Sequence, residues 1–156
     1  MSNPQFDLII FGATSFVGQL LCRYLNDQYG VDGDIKWAAA GRSLPKLEAL
    51  KSSLGDKAKT LTLLTADAAD ESALTKLCEQ TNVIISTVGP YALFGEPLVK
   101  VCASTGTDYC DLTGEVQWVS RMIRRYEKKA QQTGARIVHC CGFASIPSDM
   151  GVYHLQ

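Results

Sequence analysis

A chain of 156 residues is long enough to bury one sizeable core and short for two. Fifteen basic residues against sixteen acidic leave a formal charge of -1, so neither nucleic acid nor an anionic membrane surface is an expected partner, and any phosphate recognition has to be local. The N-terminal MSNPQFD lacks the basic and apolar regions of a signal peptide, and no apolar run approaches the length of a membrane span, which reads as a soluble, cytoplasmic chain.

Asp7 to Phe11 is the first predicted strand, and its apolar run breaks into a glycine-bracketed turn. A helix follows from about Phe16 to Asp27, with Val17, Leu20, Leu21 and Leu25 expected on its inner face. The turn reads G-x-x-S-x-x-G. In it Gly12 lets the strand reverse tightly, the small Ser15 lets backbone approach a pyrophosphate, and Gly18 lets the helix pack on the strand. The amides of Thr14, Ser15, Phe16 and Val17, with Ala13 beside them, then face an anion from a helix N-terminus, which carries partial positive charge and unpaired donors. Gly12 to Gly18 are therefore the candidate pyrophosphate-binding residues. A glycine turn alone also fits a plain tight connection, but the strand-turn-helix context that a dinucleotide site requires is present here.

A loop over 29–34 leads to strand two at 35–40, which ends at Gly41. A helix over 44–54 begins around Pro45, a residue suited to a first turn, and Gly55 ends it. Strand three, 60–66, runs through Asp67 to a helix over 70–79 with Asp70 as its N-cap. Strand four at 83–87, a helix at 96–104, a short strand at 109–112, a charged helix at 115–132 and a sixth strand at 136–141 complete the alternation. In the charged helix, Arg121, Arg124, Arg125, Lys128 and Lys129 mark a solvated face over a stripe of Val116, Val119, Met122, Ile123 and Tyr126. Six cysteines show no C-x-x-C and no metal spacing, which fits reduced thiols, and the adjacent Cys140 and Cys141 are expected in the buried sixth strand. The pattern predicts an α/β fold, a Rossmann-type doubly wound parallel sheet of six strands in the order 3-2-1-4-5-6 with helices on both faces. A last segment from Ile146 starts a helix without a stop signal. The expected division is a nucleotide-binding domain over 1–145, with 146–156 leading to a substrate domain absent from this chain.

In such a sheet the ligand lies across the carboxyl ends of the strands, so the residues after each strand are the candidates. After strand two, where an NAD-preferring domain puts an acid, stand Gly41, Arg42 and Ser43. The Arg42 guanidinium suits a 2′-phosphate, Ser43 can donate to it and Lys46 adds a second charge, so NADP(H) is expected over NAD(H). The alternative is a solvated loop arginine. Asp67 after strand three either accepts from an adenine amino group or caps a turn. After strand four, Thr87, Val88, Gly89 and Pro90 place small residues along the path of the second phosphate and nicotinamide ribose, and Tyr91 is expected beside the ring; a purely structural loop is the other reading. Asp111, Thr113 and Glu115 offer polar groups near the same edge or serve as a helix start. Ser148 and Asp149 in the last turn either close over the nicotinamide or cap a helix. His139 and His154 have no recognisable partner and read as structural, and no nucleophile-base set or metal site is present in the sequence.

With these segments in hand, GATSFVG at 12–18, AGRSLPKL at 40–47, VGPYALFGEPLVKVCASTGTDYCDLTGE at 88–115 and CGFASIPSDMG at 141–151 resemble the saccharopine dehydrogenase-like oxidoreductases, including the group similar to the trans-acting enoyl reductases of mycobacterial lipid synthesis. The resemblance implies the N-terminal NAD(P)-binding part of a two-part oxidoreductase that acts on a small-molecule substrate, moving hydride to or from a carbonyl, imine or activated alkene. It also implies a homodimer as the full-length form. Two positions depart from the family pattern: Ser15 replaces the usual middle glycine, and Ala144 stands where CGFDSIPSD carries aspartate. No catalytic residue is carried over, which leaves open a dinucleotide-binding sensor or scaffold without turnover.

Overall fold

The fold, seen in a computed structural model that describes residues 4–156, is organised by one parallel sheet. Its strands are β1 (Phe6–Phe11), β2 (Trp37–Gly41), β3 (Thr62–Thr65), β4 (Thr81–Ser86), β5 (Asp108–Asp111) and β6 (Ile137–Val138). They lie in the order β3-β2-β1-β4-β5-β6, the doubly wound order expected. The helices are α1 (Phe16–Tyr29), α2 (Leu44–Ser53), α3 (Glu71–Cys78), α4 (Tyr91–Phe94), α5 (Glu96–Thr105), α6 (Val116–Thr133) and α7 (Ile146–Leu155). Among the described residues no helix is long and apolar enough to cross a membrane.

Side chains alternate across each strand, and both faces are covered. Ile9, Phe11, Ala38, Ala40 and Ile84 meet Leu74 and Leu77 of α3, Leu98 and Val99 of α5, and Trp118 and Met122 of α6. Ile10, Trp37 and Ala39 meet Cys22 and Leu25 of α1 and Leu47 and Leu50 of α2. The register sets Phe11 beside Ala40 on one side and Ser86 on the other, and Ser86 beside Asp111. Gly12, Thr87 and Leu112 therefore leave the sheet along one edge, level with Gly41 at the end of β2.

Several local expectations are corrected. α1 turns Gly18, Cys22, Leu25 and Asn26 inward and leaves Val17 and Leu20 exposed. The cause is Gly18, where a Cβ would lie 2.3 Å from the Gly12 carbonyl oxygen, so the helix seats on its glycine side. α6 likewise seats on Trp118, Met122 and Ala130, a stripe at helical spacing, while Val116 and Ile123 are exposed. β6 is only two residues long. Cys140 has a φ of 62°, outside any strand conformation, and Cys141 is exposed, so the cysteine pair lies in a loop and not in a buried strand. The four-residue α4 is too short to announce itself by periodicity. α7 has no buried residue at all.

Candidate functional site

The glycine turn is held from three sides. The amides of Gly12 and Ala13 both donate to the Ala40 carbonyl of β2, at 2.9 and 3.0 Å. Gly12 has a φ of 89°, and a Cβ there would stand 2.7 Å from Thr87 Oγ1 and 2.8 Å from Val88 Cγ2, so only glycine lets the β1 and β4 exits come this close. Ser15 is the N-cap of α1, its Oγ accepting from the Gly18 amide at 3.0 Å. The same Oγ lies 2.9 Å from Thr87 Oγ1, which donates to the Gly12 carbonyl at 2.8 Å. The amides of Thr14, Phe16 and Val17 have no acceptor among the described residues.

A cleft of about 330 Å³ opens on this turn. Its walls bring together Gly12, Thr14 and Ser15 of the turn, Gly41 and Arg42 after β2, Asp67 after β3, and Thr87, Val88 and Gly89 after β4, residues singled out from sequence. They also include Phe11, Ala66, Ala68, Ala69 and Phe94, which carry no polar signal and had not been expected. Arg42 is exposed and has no ion-pair partner among the described residues. Asp67 Oδ1 accepts from the Ala69 amide at 2.9 Å, a turn-capping bond, and its second oxygen has no partner among the described residues. Free amides at a helix start, a glycine that lets the β1 and β4 exits approach closely, and an unpaired guanidinium at the β2 tip suit a dinucleotide that carries a pyrophosphate and a further phosphate.

The other expected residues lie outside the cleft wall. Ala13 is fully buried beneath the turn, Phe16 is 79% exposed and Val17 also faces solvent on the first turn of α1, and Gly18 packs on the turn itself. Ser43 occupies the N-cap position of α2 without a side-chain bond, and Lys46 is exposed on that helix. Pro90 follows a cis peptide and starts α4. Tyr91 does not stand free beside a ring: it is buried against Trp118 with centroids 5.4 Å apart, and its hydroxyl donates to the Ser86 carbonyl at 2.9 Å. Burial pushes its phenol up to about 12.

Beyond the cleft, the exits of β5 and β6 are tied together by Asp111, which is 2% exposed. Its Oδ1 accepts from the amides of Thr113 and Cys140 at 3.1 and 3.0 Å, and its Oδ2 accepts from Tyr109 Oη at 2.9 Å and His139 Nδ1 at 2.7 Å. His139 thus has a partner that its sequence neighbourhood does not reveal. Glu115 receives the amides of Tyr91 and Ala92 at 2.7 and 2.8 Å and so caps α4, while Thr113 Oγ1 accepts from the Glu115 amide. Both carboxylates serve the loops. Burial, followed by the adjacent Asp111 charge, raises the Tyr109 phenol well above its ordinary value, and burial raises the Cys110 thiol to about 12, so neither is an ionised nucleophile near neutrality. Ser148, Asp149 and His154 are exposed on α7, away from the cleft wall.

Residues 8–138 match the family model described as the saccharopine dehydrogenase NADP binding domain. A Mycobacterium tuberculosis protein provisionally named a trans-acting enoyl reductase is 48% identical over 151 residues, covering 97% of this chain and 35% of its own length. A trans-acting enoyl reductase of Mycobacterium ulcerans is 45% identical over 157 residues, covering 99% of this chain and 37% of its own. The chain thus spans little more than a third of these relatives. Among solved structures, the apo saccharopine dehydrogenase (L-Glu forming) of Saccharomyces cerevisiae superposes with a TM-score of 0.72 at 24% identity, over 90% of this chain and 28% of that one. The Citrobacter triphenylmethane reductase complexed with NADP(H) gives 0.60 at 14% identity, over 86% and 48%. At these identities the structures show the shared fold.

Proposed function

This chain belongs to the saccharopine dehydrogenase NADP-binding domain family, and from that membership and the cleft geometry we propose that it binds NADP(H) across the carboxyl edge of β1, β2 and β4. The observation that carries the reading is the convergence of the glycine turn, Arg42 and the β4 exit on one cleft. The free amides of Thr14, Phe16 and Val17 receive the pyrophosphate, Arg42 takes the 2′-phosphate with Ser43 and Lys46 beside it, and Val88 and Gly89 border the nicotinamide half. When bound, the cofactor supplies the hydride.

The relatives' names point to an activated alkene as the acceptor, and the whole protein is read as an NAD(P)-dependent oxidoreductase with a small-molecule substrate. In this reading residues 1–145 form the nucleotide domain, and 146–156 lead into a substrate-binding portion, in keeping with an α7 that buries none of its side chains. A cytoplasmic location accords with six cysteines that are all free thiols. The test is a calorimetric titration of this chain with NADPH and then NADH at one salt concentration. Preference for NADPH supports the reading; binding of neither overturns it. Substrate-dependent oxidation of NADPH by a protein of the relatives' full length separates an enzyme from a sensor without turnover.

A further inference from the structure

Ser15 is where this chain departs from the family's glycine pattern, and the hydrogen bonds around it have a single consistent direction. The Ser15 and Thr87 hydroxyls each have one hydrogen. Thr87 spends its hydrogen on backbone carbonyls of the β1 exit, Gly12 at 2.8 Å and the more distant Phe11 at 3.3 Å, neither of which can donate in return. The contact of 2.9 Å between the two hydroxyls is therefore donated by Ser15 and accepted by Thr87. Ser15 Oγ in turn accepts from the Gly18 amide at 3.0 Å. The chain runs Gly18 N–H to Ser15, Ser15 to Thr87, and Thr87 back to the Gly12 carbonyl, which closes a loop over the whole turn.

Two consequences follow. The Ser15 hydrogen is committed to Thr87, so it is not free to donate to a phosphate, and the Gly18 amide that a glycine at 15 would leave open is already capped. Thr87, 8% exposed, opens the segment Thr87-Val88-Gly89 that forms the far wall of the cleft. We propose that Ser15 is a positioning residue that acts through Thr87, latching the glycine turn to the β4 exit so that the wall on the nicotinamide side of the cleft is set before the dinucleotide arrives. This rests on the cofactor reading above. It assigns Ser15 to the nicotinamide half of the site, where a residue of the glycine turn is expected to serve the pyrophosphate.

The prediction is selective by ligand fragment. Adenosine 2′,5′-bisphosphate carries the 2′-phosphate for Arg42 and one 5′-phosphate for the free amides of the turn, but it lacks the second phosphate and the nicotinamide half that meet the Thr87-Val88-Gly89 wall, so it does not depend on where the latch sets that wall. In calorimetric titrations Ser15→Ala is expected to weaken NADPH by about tenfold, the scale of one hydrogen bond, and to leave adenosine 2′,5′-bisphosphate within about twofold. Thr87→Val is expected to do the same, the double variant to be no worse than either single one, and Ser15→Thr and Thr87→Ser, which keep the hydroxyls, to restore binding. Losses that add, an equal fall for both ligands, or unchanged NADPH affinity in the single variants would each overturn the latch. If Ser15→Ala does not fold, as judged by far-ultraviolet circular dichroism, the comparison of Thr87→Val with Thr87→Ser carries the same test. Failure of the parent chain to bind either ligand would instead overturn the cofactor reading, and the latch with it.

Discussion

His139 and Asp111 face each other across the exits of β5 and β6, with Nδ1 2.7 Å from Oδ2 and side-chain exposures of 7% and 0%. The carboxylate also takes the amides of Thr113 and Cys140 and the Tyr109 hydroxyl, so four donors from three segments converge on two oxygens. A buried carboxylate survives only with such partners, and here they fix the loop after β6, including the left-handed Cys140. Asp111→Asn leaves one oxygen for these donors and turns an amide N–H group against them. It is expected to cost about 2–4 kcal/mol in urea unfolding and to raise hydrogen exchange through residues 139–145. Unchanged stability would mean that the network is incidental.

Arg42→Ala removes the one cation on the cleft wall among the described residues. If it holds a 2′-phosphate, NADPH affinity is expected to fall by about tenfold to a hundredfold while NADH changes little, because the contact is charge-assisted and only NADPH carries the group. Equal losses for both cofactors, measured by calorimetry at one salt concentration, would refute the 2′-phosphate role.

The sheet order and most of the cleft are legible in the sequence because they depend on local signals: apolar runs, a glycine spacing, and residues that follow strands. What is not legible depends on contacts distant in sequence. Asp111 and His139 are 28 positions apart, and neither neighbourhood betrays the other. Tyr91 reads as a cleft residue from its place after Gly89-Pro90, yet the short α4 turns its ring onto Trp118, a residue of α6. The apolar periodicity of α1 suggests Leu20 as core, but close approach at Gly18 rotates the helix and exposes it. Ser15 reads as a tolerated replacement for glycine, and its contact with Thr87, 72 positions away, has no signal in the sequence.

Gly12→Ala tests the turn directly. The added Cβ would need a φ near 89° and would lie 2.7 Å from Thr87 Oγ1 and 2.8 Å from Val88 Cγ2, so the β4 exit must move away from β1. The expected result is loss of NADPH binding together with a destabilisation of about 1–3 kcal/mol, since left-handed backbone disfavours side chains. Circular dichroism is expected to retain the α/β signature. Undiminished affinity would place the cofactor elsewhere.

Acid stability is set in part by Asp108 and Glu96. Burial alone would raise the Asp108 carboxyl, but hydrogen bonds and charge from Arg136 outweigh it and bring it below its ordinary 3.8. Burial opposes Glu96 in the same way, and bonds from Tyr126 and Arg125 bring it below 4.5. Because the folded values lie under the unfolded ones, both groups stabilise the fold fully above the unfolded values, and this contribution is lost as pH falls through the folded ones. Stability is therefore expected to be level above about pH 5 and to decline below it, with a shallower decline in Asp108→Asn and Glu96→Gln because neither variant has a carboxylate to protonate at that site. Urea midpoints measured at successive pH values test this. Parallel slopes in the parent and both variants would show that Asp108 and Glu96 bind protons equally in the folded and unfolded chains, and that the acid sensitivity resides in other carboxylates.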